Sequence, residues 1–179
     1  MSRLDFMRDK NKRMPAVANP EAVLSMRIWH CKYANLDELS RFCNLEELVI
    51  ATFPDKTFDV LSGLKNLRYL SILHMPKISD LSPISKLHNL ESLSLSTSAS
   101  WDASRKITKV TSIEPIADLP LLKHLELFGV CPADKSLKPL EKIKTLESAR
   151  FSQYPEEEMN RFYKATGMTD KFNPESSFG

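Results

Sequence analysis

Apolar residues recur along this chain in one fixed figure, filling the first, fourth and sixth positions of a short segment that appears six times. The copies are Val23, Met26, Ile28; Leu45, Leu48, Ile50; Leu67, Leu70, Ile72; Leu90, Leu93, Leu95; Leu122, Leu125, Leu127; and a degraded Leu146, Ala149, Phe151. They start at residues 23, 45, 67, 90, 122 and 146, so the intervals are 22, 22, 23, 32 and 24 residues, and only the fourth is out of line. Self-similarity at such a period marks a repeat architecture. It is plainest between Asn66 and Leu95, where Asn66-Leu67-Arg68-Tyr69-Leu70-Ser71-Ile72 returns, frame intact, as Asn89-Leu90-Glu91-Ser92-Leu93-Ser94-Leu95.

A second apolar block stands three, six and nine positions before each restart: Leu36, Leu39, Phe42; Phe58, Leu61, Leu64; Leu81, Ile84, Leu87; Ile113, Ile116, Leu119; and Leu137, Leu140, Ile143. A spacing of three predicts a short helical or 3-10 turn with one face inward. Ten positions before the restarts sit Asn35, Thr57, Asp80, Ser112 and Ser136, all residue types that accept hydrogen bonds from the unpaired amides of a helix start. Pro83, Pro115 and Pro139 share one place in the first turn, where a missing amide proton costs little. Each unit is therefore a strand, a turn and a short helix.

The L-x-x-L-x-L core with its period of 22 to 24 residues resembles leucine-rich repeats, and ISDLSPISKLHNLESLSL is similar to their short-repeat, internalin-like class. The resemblance spans about residues 22 to 154. It implies an α/β solenoid with a parallel concave sheet of about six strands and short helical or 3-10 turns on the convex side. The chain departs from the family pattern at repeat position 9, where an asparagine usually bridges adjacent turns. That position holds Cys31, Phe53, Met75, Ser98, Val130 and Tyr154, so we expect apolar packing in place of the ladder and less regular turns. Stacked repeats also need their ends closed. Residues 1–21 read as an arm or cap, and residues 155–179 as a capping helix and tail. In that helix Pro155 is expected at N1, Met159, Phe162 and Tyr163 on the inner stripe, and Gly167 at the stop.

In a strand of this type positions 3, 5 and 7 face away from the core, over the concave sheet, and position 8 follows at the rim. Most of the residues so displayed are small or polar, against which Trp29, Tyr69, Leu73 and Phe128 stand out. With Arg27, His30, His74, His124 and Arg150 around them they have the composition of a protein interface. The long fourth interval adds an insertion at about 97–109, in which Trp101 is an anchor and Arg105, Lys106 and Lys109 supply positive charge; insertions in solenoids project from one edge and often bind. Trp101 and Arg105 join the nine residues above as the candidate partner-binding set.

Composition narrows the classes of partner. With 25 basic and 23 acidic residues the net charge is +2, which supplies no global field toward nucleic acid or anionic lipid. A nucleic-acid reading would rest on Arg3, Arg8, Lys10, Lys12, Arg13 and the basic insertion. A hydrolase reading would rest on His124 beside Ser92 or Ser148 with Glu126, but no G-x-S-x-G elbow or glycine-rich loop accompanies them. His30 and His74 lie two strands apart without a third ligand, so no metal and no cofactor is expected. Cys31, Cys43 and Cys131 show no C-x-x-C spacing, which fits free thiols in a reducing compartment, and no segment has the ~20 apolar residues of a membrane span. The expectation is a non-enzymatic cytoplasmic protein that binds a protein partner, as an inhibitor or immunity protein of a toxin or enzyme, or as a scaffold.

Overall fold

In the computed structural model, which describes residues 2–178, the strands are β1 (Ser2–Met7), β2 (Val23–Trp29), β3 (Glu47–Ala51), β4 (Tyr69–Leu73), β5 (Ser92–Ser96), β6 (Thr108–Lys109), β7 (His124–Phe128), β8 (Val130–Cys131), β9 (Ser148–Ser152) and β10 (Thr169–Asp170). Eight of them form one sheet in the order β1-β2-β3-β4-β5-β7-β9-β10. All its neighbours run parallel, as repeated strand-to-helix connections require. The pairing keeps equivalent positions side by side: Met26, Leu48, Leu70, Leu93, Leu125 and Ala149 stand in one continuous row. That row is buried along its whole length. An isolated strand pair offers little burial, so each repeat owes its order to the neighbours on both sides.

The six strands read from the repeats are all present, and the sheet gains one more at each end. At the first end, Leu4 pairs with Met26 and Phe6 with Ile28, so residues 2–7 form a strand of their own. Its two inward apolar residues, Leu4 and Phe6, stand among charged neighbours and are too few to show the repeat frame. At the other end β10 pairs with β9. The helix α3 (Glu156–Thr166) closes that end with Phe162 fully buried and Met159 and Tyr163 packed on the core. Pro155 stands just outside its first turn, one place earlier than expected, and Gly167 ends it at φ 69°.

The convex side is made of 3-10 helices at Asp37–Arg41, Asp59–Gly63, Ser82–Lys86 and Lys138–Lys142, with the short helix α2 (Glu114–Ala117) in the equivalent fifth place. All five anticipated cap residues accept the amide two positions on: Asn35 from Asp37 at 3.3 Å, Thr57 from Asp59 at 3.4 Å, Asp80 from Ser82 at 2.9 Å, Ser112 from Glu114 at 3.0 Å and Ser136 from Lys138 at 3.3 Å. Each thereby satisfies one of the donors that a helix start leaves unpaired.

The turns after the strands are more regular than expected. Position 8 takes the left-handed conformation in Arg8, His30, Thr52, His74, Gly129 and Gln153. The amide of position 8 then donates to the position-7 carbonyl of the following strand, His30 to Ala51 at 3.2 Å, Thr52 to Leu73 at 2.7 Å and His74 to Ser96 at 2.7 Å. A backbone ladder thus does the work of the missing side-chain ladder, and Phe53, Met75 and Val130 fill position 9 as buried apolar residues. An asparagine ladder does exist, on the opposite edge. Asn44, Asn66 and Asn89, each directly before a restart, donate from Nδ2 to the carbonyls of Glu21 at 2.9 Å, Cys43 at 3.1 Å and Lys65 at 2.8 Å.

Two segments leave the repeat. The insertion forms a helix, α1 (Ala99–Ala103), and returns through β6, which pairs with β8 beyond the end of β7. After β10 the chain crosses the concave face without helix or strand and ends its described part with Phe178 buried.

Candidate functional site

The in-register strands sort the concave face into rows. The position-7 row along the upper rim runs Met7, Trp29, Ala51, Leu73, Ser96, Phe128. The middle row at position 5 carries an ion pair at either end, Arg27 with Asp5 at 2.6 Å and Arg150 with Glu126 at 3.4 Å. Between them lie Val49, Ser71 and Ser94. The lower row at position 3 includes Ser25, Glu47, Tyr69, Ser92 and His124. Alternation along each strand is what separates this display from the leucines behind it.

The tail and the insertion cover opposite corners of the face. Over β1 to β3, Glu47 accepts the Ser177 amide at 2.7 Å and the Ser177 hydroxyl. Burial alone pushes the Glu47 carboxyl up, but hydrogen bonds from Ser177, Ser176 and Ser25 outweigh it and hold the group below its usual range. Arg27 is also engaged: its bond to Asp5 lowers the Asp5 carboxyl and raises the guanidinium. A hollow of about 340 Å³ remains beside the tail, lined by Ser25, Glu47, Tyr69, Ser92 and Glu175 among others. Burial, then the Glu47 and Glu126 carboxylates, push the Tyr69 phenol up.

Over β4 to β9 the helix α1 forms a roof. Trp101 meets His74 edge to face, with ring centres 4.9 Å apart. At the far end Asp102 accepts from Ser152 Oγ at 3.1 Å and from Gln153 Nε2 at 2.9 Å. Beneath lies a pocket of about 360 Å³ walled by Leu73, Phe128, Arg150, Glu126 and Asp102. The Arg150 guanidinium stands 4.6 Å from the centre of the Phe128 ring, and Ser94 donates to Glu126 at 2.8 Å. Burial, and then His30, lower the His74 imidazole below its ordinary value. A larger hollow of about 510 Å³, between residues 111–114 and 132–139, lies away from this face.

The eleven candidate residues therefore fall into groups. Leu73, Phe128 and Arg150 share the roofed pocket, with Trp101 and His74 at its edge. Arg27, Trp29 and His30 form the other cluster, the indole lying 5.4 Å from the imidazole and 5.9 Å from the guanidinium. Tyr69 stands between the two clusters. Arg105 is exposed at the end of α1 and lines neither pocket. His124 sits on the lower row, where its Nδ1 is 2.8 Å from Ser148 Oγ and its Nε2 is 4.0 Å from Glu147. Ser148 is 2% exposed, so its hydroxyl cannot meet a substrate, and a nucleophile needs that access. Among the described residues no three His, Cys, Asp or Glu side chains are grouped as a metal site.

Sequence reasoning missed the tail's share of the site, Ser177 and Phe178, and the acidic groups Glu47 and Asp102, and it named Glu126 only for a hydrolase reading, not as the partner of Arg150. A signal existed for Glu126, since it faces Arg150 at the same position of the next repeat. None existed for Asp102, whose partners lie about 50 residues away.

No protein-family model matches the chain, and no curated protein matches it. Solved structures do. Internalin C2 of Listeria monocytogenes is similar at a TM-score of 0.55 and 22% identity, over 74% of this chain and 53% of that one. Internalin F of the same species matches at 0.51 and 20%, over 81% and 46%. A leucine-rich-repeat protein of Leptospira interrogans matches at 0.59 and 21%, over 92% and 41%. The chain spans about half or less of the length of these structures. The fold is thus an internalin-like leucine-rich-repeat solenoid.

Proposed function

We propose that the chain is a protein-binding module that grips one protein partner with its concave face and the inserted helix. The observation that carries this is the upper rim, where Met7 is 50% exposed and Trp29, Leu73 and Phe128 remain half-buried on a face whose neighbouring positions are serines and alanine. A side of the sheet that only needed solvation would not keep such side chains, and aromatic and aliphatic anchors within a polar border are what interfaces use. The finer reading is inhibition of a toxin or enzyme: a steric blocker needs nothing beyond a face that grips. We place the protein in the cytoplasm, a reading supported by three free cysteines, of which Cys43 is exposed. No helix among the described residues is long and apolar enough to cross a membrane.

The test is retention of the protein encoded beside this chain in its genome, on immobilised wild type and on a Trp29→Ala, Leu73→Ala, Phe128→Ala variant whose folding is checked by circular dichroism. Specific retention by the wild type, lost in the variant, supports the module. Equal retention by both removes the concave face from the argument. For the inhibitory reading, co-expression must relieve growth arrest caused by the neighbour's product, and arrest that persists sinks it.

A further inference from the structure

Residues 171–178 have the composition of a linker, in which Lys171, Asn173, Pro174, Glu175 and two serines leave Phe172 and Phe178 as the large apolar side chains. Such a stretch has too little apolar surface to order itself, and it forms no helix or strand. Phe178 is nonetheless only 8% exposed. What orders it is the surface beneath. Glu47 takes both the amide and the hydroxyl of Ser177. Arg3 donates to the Ser177 carbonyl at 2.7 Å and holds its guanidinium 3.9 Å above the Phe178 ring. Arg27 donates to the Phe178 carbonyl at 3.3 Å, with its guanidinium 5.1 Å from the same ring. The face thus reads a backbone donor, a hydroxyl, two backbone acceptors and one aromatic ring. None of those contacts depends on the segment being covalently attached.

We propose that the β1 to β3 end of the concave face is a recognition subsite for a short segment that turns at a serine or threonine followed by an aromatic residue, and that residues 174–178 are its built-in occupant. A protein partner that offers such a segment binds there by displacing the tail. The idea deepens the protein-binding function and rests on it for the existence of a partner, while the subsite itself can be tested without one. Only six residues separate Asp170, the last of β10, from Ser177. Short flexible tethers give effective concentrations on the order of millimolar. Docking of the tail therefore masks the subsite from weak competitors and leaves it open to a segment that makes additional contacts.

The probe is a fluorescein-labelled peptide, FNPESSF, with the sequence of residues 172–178, titrated by fluorescence polarisation into the whole chain and into its Phe178→Ala variant. We expect the variant to bind the peptide at least about tenfold more tightly than the wild type. Binding should vanish when the peptide's last phenylalanine is replaced by alanine, or when Glu47→Gln is added to the variant. Equal affinity for wild type and variant overturns the proposal, as does binding that is indifferent to either change. Hydrogen exchange in otherwise unaltered chain gives a second reading: Glu47→Gln should speed exchange of the Ser177 amide at least about tenfold, and an unchanged rate overturns the docking. Neither measurement involves a natural partner, so loss of the subsite and loss of the protein-binding function are separate outcomes.

Discussion

Replacing Gly129 by alanine should destabilise the protein by about 2–3 kcal/mol, and most of the reason lies in one neighbouring side chain. Gly129 sits at position 8 with φ 66°. For an L-residue that conformation costs roughly 1–2 kcal/mol, yet Arg8, His30, Thr52, His74 and Gln153 adopt it in equivalent turns. Backbone strain alone therefore does not demand glycine. What differs is Thr97: a Cβ on Gly129 would lie 2.6 Å from its Oγ1 and 3.1 Å from its Cγ2. Thr97 opens the insertion, and its amide donates to the Phe128 carbonyl at 2.8 Å, so its backbone is pinned and its side chain has to move. Leaving a rotamer well adds about 0.5–1.5 kcal/mol.

The assay is a double-mutant cycle by urea and thermal unfolding, both followed by circular dichroism. Gly129→Ala alone should lower the midpoint temperature by roughly 4–12 °C in a chain of this size. In a Thr97→Ala background, where both close atoms are gone, the same substitution should cost only about 1–2 kcal/mol. A coupling of about 1 kcal/mol exceeds the ~0.5 kcal/mol expected between independent sites. If Gly129→Ala costs the same in both backgrounds, the close approach of Thr97 is not what keeps glycine there, and the local argument fails.

Other consequences can be checked with single substitutions. Asp102→Ala removes the two side-chain bonds that hold α1 to Ser152 and Gln153; amide exchange across 99–106 should rise about tenfold while β3 and β4 stay protected. Glu158 accepts from Arg161 and from the Leu137 amide; the Arg161 bond is the main reason its carboxyl falls from 4.5 to about 2. A depressed carboxyl contributes stability above its ordinary value and loses it as pH falls toward 2, so Glu158→Gln should cost about 1–2 kcal/mol at pH 7, after discounting for the partly exposed Arg161, and almost nothing at pH 2. Chemical unfolding at the two pH values decides it, and an undiminished cost in acid refutes the linkage. Leu121 is 44% exposed and interrupts the Asn44, Asn66, Asn89 series; Leu121→Asn places a donor opposite the equivalent carbonyl, that of His88, and should raise stability by up to about 1 kcal/mol. A loss of stability would show that the ladder does not continue past β5.

How far the molecule was legible depended on whether the cause was local. The leucine frame, the five caps and the prolines follow from alternation along a strand and from the donors at a helix start, so residues within ten positions of one another carry the message. The two features that divide the concave face are not of that kind. Phe178 docks against Arg3 and Arg27, and Ser177 against a glutamate 130 residues away, with no periodicity to announce it. Trp101 could be named as an anchor from its type, but not that His74 would receive it. The displaced ladder is a different failure. Asn44, Asn66 and Asn89 recur visibly, but they stand directly before the restarts and not at position 9, where the family keeps its asparagine.

Tail and roof together determine the shape of what remains open. The tail covers the lower row over β1 to β3, and the roof covers the upper rim over β4 to β9, so the uncovered ground runs diagonally from Met7 and Trp29 through Ser71 to His124. Four strand steps at ~4.8 Å and four residues of rise at ~3.3 Å make the stretch from Trp29 to His124 about 23 Å long. A helix of about 15 residues or an extended segment of about seven spans it. Displacing the tail would widen only the β1 to β3 end, adding the Glu47, Arg3 and Arg27 contacts to one end of the same track. An elongated partner element should therefore lose affinity when either end is altered, by Trp29→Ala or by His124→Ala, and lose little with changes at Arg105, which stands outside the track. Comparable losses at Arg105 would mean that the partner lies across the roof instead of along the diagonal.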